Sequence, residues 1–537
     1  MAGADLVLLG DVYTVDPARS WASAVAIAGD RIVAVGAEAD VRERAGPGAE
    51  VVRGAAILPG LQDAHIHPAF GARNLAHVNL DDLETPAQYL DRIGVFAKAH
   101  PDEPWILGGG WMNLPFDATN GPTAELLDAV VPDRPAFLMN NDVHGAWVNS
   151  RALELGGLGS DTLDPWDGYY VRDAAGAPTG TLREGAAYRF LAEVVPAPDR
   201  EGWMRHLRTA QAHLHALGVT GWQDAWVEPG LLEAYTALRD ADELTMRVVA
   251  SLWWERDRGV EQIDELVARG ETATAGNLHA RTVKIMLDGC PETGTAAMLD
   301  PYEGSFADAH GHGISFVVPE VLNEALVRLD ALGIQVHQHA LGDRAIRMAL
   351  DAVAAARTAN GMNDLRHHIA HIQLPDPVDV RRLRELGVVA NIQPYWAQPD
   401  PMIETLTRPR VGERARRLYP IADIRAAGAV MAFGSDWPVT TPDPWLEMEV
   451  AVTRAAPAGD AEHALVPEQR IELPAAIAAF TRGSAYVNHD DEAGTIAEGA
   501  RADLVVVDRN PFERDAPIGS TRTRMTIASG RVVYEAS

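Results

Sequence analysis

Short apolar runs alternate with amphipathic stretches through most of the chain, the pattern of buried strands separated by helices. Residues 319–332 and 344–359 illustrate the helical stretches. Eight runs are predicted to be barrel strands, at residues 55–64, 218–224, 245–253, 282–287, 334–339, 368–372, 388–393 and 429–436. Eight consecutive β/α units predict a TIM (β/α)8 barrel of the α/β class.

The two ends of the chain share a second pattern, in which short strands are joined by tight turns. Residues 4–9 and 24–36 have this pattern near the start, and residues 502–508 and 525–534 repeat it near the end. So few strands at either end are not expected to be stable alone, which predicts one small β-sandwich assembled from both termini. The predicted domains are the sandwich at 1–58 and 486–537, and the barrel at 59–485.

The chain between the first two predicted barrel strands is too long for a single crossover helix. It predicts an insertion at about 70–217, rich in Gly, Pro and Trp. We expect this insertion to lie over the barrel mouth as a lid or a specificity wall.

Size and charge restrict the classes of protein. With 537 residues, of which 47% are hydrophobic, the chain can bury the core of a large enzyme. Its formal net charge of -30 argues against nucleic acid and anionic membranes as partners, because both attract clustered cations. We therefore expect a small-molecule substrate.

The sequence features that bear on cellular location predict a cytoplasmic protein. No stretch reaches the roughly 18 apolar residues that span a bilayer. Residues 1–6 lack the basic and apolar regions of a signal peptide. Cys290 is the single cysteine, so no intrachain disulfide can form.

His65 and His67 close the first predicted barrel strand, and their spacing places both imidazoles on one face. In a barrel that face is the interior at the carboxyl end of the strand, where barrel enzymes keep their chemistry. Neutral imidazole is a common zinc ligand, so the pair is predicted to form half of a metal site. Taken alone, the pattern also fits two ordinary surface histidines.

Lys284 is unusual because it lies within an apolar strand. Of the 46 Lys and Arg residues, only Lys98 and Lys284 are lysines. A buried ammonium is costly unless it is paired or neutral. A neutral lysine amine can react with carbon dioxide to form a carbamate, which is a carboxylate-like bridging ligand, whereas arginine stays protonated. The alternative is a buried lysine stem whose head pairs with Asp288 or Glu292.

Three further residues occupy matching places on other strands. His339 ends the fifth strand, His371 ends the sixth, and Asp436 ends the eighth. Each has an ordinary alternative, for example His371 as a satisfied core histidine and Asp436 as a cap in a turn. Together with the two histidines of the first strand and the lysine of the fourth, they predict one site at the barrel mouth.

The motifs that contain these residues closely resemble those of the amidohydrolase superfamily. In order along nearly the whole chain they are LPGLQDAHIHP, VKIMLDG, VHQHALGDRA, HHIAHIQ, NIQP, FGSDWP and ADLVVVD. The resemblance is to its YtcJ-like (amidohydrolase 3) branch, which includes N-substituted formamide deformylases. It implies a distorted TIM barrel with a composite β-sandwich, one or two zinc ions, and a homodimer.

The resemblance also implies how a binuclear centre would be held. The first metal would be bound by His65, His67 and Asp436. The second would be bound by His339 and His371, and a carboxylated Lys284 would bridge the two. This chain has Gln338 where the branch often has an aliphatic residue, and Leu341 where it often has Ile. His339 stays the expected ligand, and His337, two residues earlier on the same face, competes for that role.

The implied ligand set predicts hydrolysis. Zinc with an open position lowers the pKa of bound water to about 7 and so supplies hydroxide to attack a polarised carbonyl. Asp436 would take the water's proton and deliver it to the leaving nitrogen, because a carboxylate beside metal and water suits acid and base roles. The predicted reaction is hydrolysis of a non-peptide C–N bond in an amide, formamide or imide.

Candidates for substrate contact come from the insertion and from the predicted strand ends, with ordinary packing as the alternative for each. His144 is the candidate for a substrate carbonyl, and Glu292 for a polar substrate group or a structural hydrogen bond. The aromatic candidates for an apolar N-substituent are Trp111, Trp222, Trp253, Tyr395, Trp396 and Trp437.

Other function classes stay open at this point. One is a non-hydrolytic enzyme on the same scaffold, such as a decarboxylase or isomerase, since one fold hosts many chemistries. A hydrolase of a carbamate or an ester is another. A binding protein with a decayed site is disfavoured, because all six metal positions carry competent residues.

Overall fold

The computed structural model describes residues 4–116, 120–304, 306 and 311–537. The chain divides into two compact units. The first contains Met1–His67, Arg208–Asp436 and Thr441–Ser537, and the second contains Pro68–Leu207 and Trp437–Thr440.

The strands are numbered here in chain order. They are β1 (Leu6–Tyr13), β2 (Trp21–Ala28), β3 (Arg31–Gly36), β4 (Glu50–Pro59), β5 (Leu61–Ile66), β6 (Val78–Asn79), β7 (Ile106–Trp111), β8 (Ala136–Asn140), β9 (Gly145–Val148), β10 (Gly168–Arg172), β11 (Pro178–Glu184), β12 (Val219–Val227), β13 (Arg247–Trp253), β14 (Leu278–Met286), β15 (Gln335–Ala340), β16 (His368–His371), β17 (Val389–Ile392), β18 (Met431–Phe433), β19 (Leu504–Val507), β20 (Thr523–Ala528) and β21 (Arg531–Glu535).

The α-helices lie mostly between the strands. Their ranges are Glu38–Ala45, Pro68–Ala76, Pro86–Ala99, Ala124–Asp128, Ser150–Leu155, Gly185–Glu193, Arg200–His215, Pro229–Asp240, Ile263–Ala273, Pro319–Ala331, Asp343–Asn360, Pro377–Leu386, Arg408–Val411, Ile421–Ala426, Pro444–Thr453, Leu473–Ala478 and Ser484–Val487. Within the described part of the chain, no helix has both the length and the apolar character needed to cross a bilayer.

Eight parallel strands form the barrel of the first unit, in the order β18-β17-β16-β15-β14-β13-β12-β5. The two end strands meet through the loop after β18, where the backbone N–H of Asp436 donates to the carbonyl of His65 at 2.7 Å. The Asn391 side chain on β17 also donates to the Ala64 carbonyl at 2.7 Å. The predicted distorted TIM barrel is therefore confirmed.

The apolar run at 55–64 is two strands rather than the single strand expected from sequence. β4 pairs with β1 and β19 in the terminal sheet, whereas β5 pairs with β12 in the barrel. The chain passes between the two sheets at Gly60, where a Cβ atom would press against the side chain of Thr220. Periodicity missed the division because both halves are buried and apolar.

Both chain ends build one seven-stranded sheet, in the order β21-β20-β19-β4-β1-β2-β3. The buried side chains that pack together come from both ends, and they include Leu8, Val25, Ile57, Leu504, Val506 and Ile527. Because the two halves of the sheet share this core, neither end is complete without the other. The composite β-sandwich from both termini is confirmed.

The second unit has its own sheet and its own core. Its six strands follow the order β10-β11-β9-β8-β7-β6. Trp111 and Trp147 pack edge to face in one buried cluster, with ring centroids 6.1 Å apart. The helix Pro86–Ala99 begins with a capping box between Thr85 and Gln88, which satisfies backbone N–H groups at its start.

Candidate metal centre

Two imidazoles and one carboxylate converge at the carboxyl end of β5. His65 Nε2 lies 3.2 Å from Asp436 Oδ1, and His67 Nε2 lies 3.0 Å from the same oxygen. His371 at the end of β16 joins them, because single ligand atoms of His65, His371 and Asp436 all lie within 4.8 Å of one another. The predicted alternation along β5 therefore places both histidines on the barrel interior.

His339, at the end of β15, extends this cluster. Its ring centroid lies 4.5 Å from that of His371, and the His371 ring lies 4.7 Å from that of His65. Lys284 is buried on β14, the strand paired with β15. The structure thus brings six residues to one barrel end, namely His65, His67, Lys284, His339, His371 and Asp436.

Burial favours the neutral forms of His65 and Lys284. It holds the pKa of His65 well below the ordinary value, and the nearby Lys284 lowers it further. Burial also lowers the pKa of Lys284 to about 7, against the opposing effect of the Asp436 carboxylate. Neutral imidazoles and a partly neutral amine are the forms that bind metal or react with carbon dioxide.

This set of donors fits a divalent metal of the zinc type. Zinc takes imidazole nitrogen and carboxylate oxygen, and its ligands must be deprotonated when it binds. Here, buried imidazole nitrogens face a buried carboxylate at close range.

The loop that carries Asp436 is fixed by Asp63 of β5. The Asp63 carboxylate accepts hydrogen bonds from the Ser435 hydroxyl at 2.6 Å and from the His65 backbone N–H at 3.0 Å. A Cβ atom on Gly434 would collide with the backbone nitrogen of His65. Asp436 itself has φ 57°, a conformation that costs free energy in a non-glycine residue and is typical of functional sites.

Hydrogen bonds and a stacked ring hold His371, whose backbone has φ 79°. Its backbone N–H donates to Gln393 Oε1 at 3.0 Å, and Gln393 Nε2 donates to Asn391 Oδ1 at 3.1 Å. The Trp396 ring stacks on the His371 imidazole with a centroid distance of 5.0 Å and an interplanar angle of 4°. The NIQP motif therefore carries positioning contacts, which sequence reasoning did not assign to these residues.

His337 uses its ring nitrogens differently from His339. Its Nε2 lies 2.8 Å from His65 Nδ1, and its Nδ1 lies 3.2 Å from Ser251 Oγ. Both ring nitrogens of His337 are in hydrogen bonds. His337 could therefore compete with His339 for the ligand position only by breaking one of them.

The two carboxylates considered as partners of Lys284 have other contacts. Asp288 accepts backbone N–H groups from Ala297, Leu341 and Gly342 at 2.9 to 3.0 Å. The opposing charge that acts on the Lys284 amine is that of Asp436. The geometry thus gives Asp288 a structural role.

Glu292 has two hydrogen-bond donors nearby. Its Oε1 accepts from Gln373 Nε2 at 3.1 Å and from the Thr407 hydroxyl. These bonds join three separate segments of the chain, which is the structural hydrogen bonding considered as the alternative to substrate contact.

Three of the aromatic candidates are buried. Trp222 is fully buried, and its indole N–H donates to the Tyr235 hydroxyl at 3.2 Å. Trp111 is fully buried in the second unit and donates to the Leu138 carbonyl at 2.8 Å. Trp437 is also buried, and it packs beside Gly71, where a Cβ atom would collide with the indole.

Other aromatic residues lie beside the histidines. Trp226 and Trp253, at the ends of β12 and β13, stack with centroids 4.4 Å apart. The Trp226 ring lies 6.4 Å from that of His67. Sequence reasoning named Trp253 and Trp396 but missed Trp226, although its place at a strand end was visible in the predicted barrel.

His144 forms a buried pair with Glu184 in the second unit. His144 Nδ1 lies 2.9 Å from one Glu184 carboxylate oxygen and 3.1 Å from the other. Glu184 is fully buried and has φ 50°. The carboxylate orients the imidazole, and in its ionised form it accepts a hydrogen bond from Nδ1–H. Glu184 was not predicted, because its partner is remote in sequence.

Comparison with known proteins agrees with the geometry. The model of the "Amidohydrolase family" matches residues 52–534. The chain is 28% identical over 526 residues to the N-substituted formamide deformylase of Arthrobacter pascens, covering 95% of this chain and 94% of that protein. It is 26% identical over 546 residues to the putative amidohydrolase YtcJ of Bacillus subtilis, covering 98% and 99%.

A solved structure has a similar fold over nearly the same length. An uncharacterized metal-dependent hydrolase from Pyrococcus horikoshii superimposes with a TM-score of 0.75 at 25% identity, covering 96% of this chain and 99% of that one. Since the family model spans nearly the entire sequence and the barrel motifs bring their histidines and Asp436 to one barrel end, the chain belongs to the amidohydrolase family, in its YtcJ-like branch, and is a hydrolase.

Proposed function

We propose that this protein is a metal-dependent hydrolase of a non-peptide C–N bond in an N-substituted formamide, amide or imide. The observation that carries the proposal is the convergence of His65 Nε2 and His67 Nε2 on Asp436 Oδ1 at 3.2 and 3.0 Å. The likeness to an N-substituted formamide deformylase supports the substrate class.

The proposed cofactor is zinc, in a binuclear arrangement. The first ion would be held by His65, His67 and Asp436, and the second by His339 and His371. The neutral amine of Lys284, reacted with carbon dioxide, would supply the bridging carboxylate. Bound zinc lowers the pKa of a water molecule to about 7 and polarises a carbonyl.

Asp436 is the proposed acid and base. Its carboxylate would accept a proton from the attacking water and pass it to the leaving nitrogen, which would otherwise leave as an unstable amide anion. The backbone bond to His65 and the Asp63–Ser435 contacts hold this carboxylate in place. Such a fixed group loses little conformational freedom when the reaction begins.

His144 is the proposed contact for the substrate carbonyl. Its Nδ1 is occupied by Glu184, so protonation of Nε2 would give a donor whose positive charge the carboxylate stabilises. The stacked Trp226 and Trp253 rings are proposed to receive an apolar N-substituent, together with Trp396 beside His371.

The test uses full-length protein prepared with zinc and bicarbonate, assayed with a series of N-substituted formamides, amides and imides. Equimolar release of an acid and an amine from formamides and amides, or of an acid and an amide group from imides, abolished by chelator and restored by zinc, is the expected result. An Asp436→Asn variant that binds metal but lacks turnover would support the acid and base role. Carbon dioxide release or isomerisation without hydrolysis would overturn the proposal.

A further inference from the structure

A buried arginine of the second unit has no acidic partner. Arg73 lies in the helix Pro68–Ala76 and is only 5% exposed. Its Nε is buried without a hydrogen-bond partner, and no described residue forms an ion pair or a hydrogen bond with its guanidinium group. A buried cation is normally paired with a carboxylate, because the loss of its hydration is otherwise uncompensated. Arg73 departs from this rule.

The side chains around Arg73 are aromatic rings. Its guanidinium carbon lies 5.1 Å from the centre of the Phe70 ring. The Phe70 and Trp203 rings meet edge to face with centroids 6.3 Å apart, and the His206 ring lies 5.9 Å from that of Trp203 and 6.2 Å from that of His77. The face of an aromatic ring stabilises a cation, but it offers no oxygen acceptor to the five N–H groups of a guanidinium.

The ionisable groups that act on this cluster are all basic. Burial lowers the pKa of Arg73 to about 10, which leaves the group protonated at neutral pH. The pKa of His206 is lowered to about 4, first by burial and then by the positive charges of Arg73, His77 and Arg205. The chain has 76 Asp and Glu residues against 46 Lys and Arg residues. A buried cluster that a carboxylate does not balance is therefore unusual in this protein.

An unpaired guanidinium is suited to an anion that brings oxygen acceptors. Its planar fork matches the two oxygens of a carboxylate, and the resulting charge-assisted bonds are stronger than those between neutral groups. Trp203 and His206 are only partly buried, so they form the solvent-facing side of the cluster. The aromatic neighbours favour an acid with an apolar body. We propose that Arg73 binds the carboxylate of a small organic acid, with the rings of Phe70 and Trp203 against its apolar part.

This carboxylate site shares no residue with the candidate metal centre. All of its side chains belong to the segment Pro68–Leu207 of the second unit, so the site goes beyond the proposed hydrolysis and does not depend on it. The alternative is a structural role for Arg73 in the last turn of its helix, where a cation stabilises the carbonyl end of the helix dipole. The two roles predict opposite effects when the charge is removed.

The first experiment measures the thermal unfolding midpoint of the full-length protein and of Arg73→Met, with and without phenylacetate. Methionine keeps an unbranched side chain without the charge, so the ligand-free variant should unfold at a higher temperature than the parent. Phenylacetate should raise the midpoint of the parent and leave that of the variant unchanged, since a ligand stabilises only a state that binds it. A less stable variant together with an unshifted parent, or equal shifts in both proteins, would overturn the proposal.

The second experiment locates the bound acid through His206. In protein with 15N-labelled histidine at pH 7, the His206 ring signals are assigned by their absence in His206→Gln and followed during titration with phenylacetate. We expect saturable shifts in the parent and an affinity about 10- to 100-fold lower in Arg73→Met. Arg205→Gln is the matched control, because Arg205 acts on the same imidazole through its charge but is exposed, and it should keep the parental affinity. Unshifted His206 signals would contradict a site at Arg73.

Two further probes define the class of ligand. Phenylethanol keeps the ring without the carboxylate and should not shift the His206 signals, whereas inorganic phosphate should bind more weakly than phenylacetate because it has no apolar part. Phosphate that binds as tightly as phenylacetate would overturn the assignment to an organic acid. If Arg73→Met does not fold, Arg73→Lys keeps the charge but loses the planar fork, and it should bind phenylacetate roughly tenfold more weakly. Parental affinity in Arg73→Lys would contradict recognition by the guanidinium.

Discussion

The backbone N–H of Asp436 donates to the carbonyl of His65 at 2.7 Å, while the two side chains face each other at 3.2 Å. The same two residues therefore join the last barrel strand to the first and form the centre of the candidate site. Closure of the barrel and the geometry of the candidate metal centre are therefore coupled at this point. Changes that separate these strand ends are expected to affect both stability and metal binding.

Gly434→Ala should lower the stability of the fold and weaken metal binding. The new Cβ atom would meet the backbone nitrogen and Cα of His65, which cannot move without shifting the strand. We expect a loss of about 1–3 kcal/mol in the free energy of unfolding, together with weaker metal binding. Denaturant unfolding and chelator competition measure the two effects.

Gly48→Ala is the matched control, because nothing lies within 4 Å of the Cβ atom that it would add. Its stability should stay within about 1 kcal/mol of the parent. If Gly434→Ala is as stable as this control, the close approach between the two strand ends does not contribute to the free energy of unfolding.

Asp436→Asn should lower kcat by a factor of about 10² to 10⁴ on any substrate that the enzyme hydrolyses. The amide keeps the size of the side chain but can neither accept the water's proton nor deliver it. Steady-state kinetics at matched zinc content measure the change. A variant with full zinc content and parental kcat would remove Asp436 from the proton transfer.

Lys284 should make the free energy of unfolding of the metal-free protein depend on pH in the alkaline range. Its pKa is about 7 in the folded chain, against 10.5 for an exposed lysine. Between these values the unfolded state binds the proton and the folded state does not, so stability rises with pH. The rise is at most about 1.4 kcal/mol per pH unit.

Denaturant unfolding between pH 7 and pH 10, with chelator present, tests this expectation. Lys284→Met keeps a buried unbranched side chain and should abolish the rise of stability with pH. The same dependence in both proteins would mean that the amine is protonated in the folded state.

Glu184→Ala should raise KM by roughly tenfold if His144 binds the substrate carbonyl, because a lost hydrogen bond to a charged group costs about 1.5 kcal/mol or more. The His144 ring would lose the carboxylate that orients its Nδ1–H. Glu184→Gln retains an oxygen acceptor and should keep KM closer to the parent. Unchanged KM in Glu184→Ala would leave the pair with a purely structural role.

Much of the fold follows from sequence because its signals are local. The barrel strands are short apolar runs bounded by turns, and the His-x-His spacing decides which face of β5 carries imidazoles. The terminal sandwich follows from the need of a few short strands for partners. The division at Gly60 was missed because a continuous apolar run does not show which sheet each half joins.

The missed contacts depend on the fold rather than on local pattern. Glu184 meets His144 across two paired strands, and Gln393 supports His371 from the next strand of the barrel. His337 looked like a rival ligand because it shares a strand face with His339. Only the geometry shows that its Nε2 meets His65. Residue type and spacing identify chemically competent groups, whereas hydrogen-bond partners decide their roles.

The decisive measurement is the metal content of the full-length protein, purified after expression with zinc and bicarbonate and compared with a His65→Ala/His67→Ala variant. About two zinc ions per chain in the parent, and a clear loss in the variant, are expected for the bridged centre. About one ion per chain would make Lys284 structural. A parent that binds no metal, or a variant that binds as much as the parent, would contradict a metal centre at these residues.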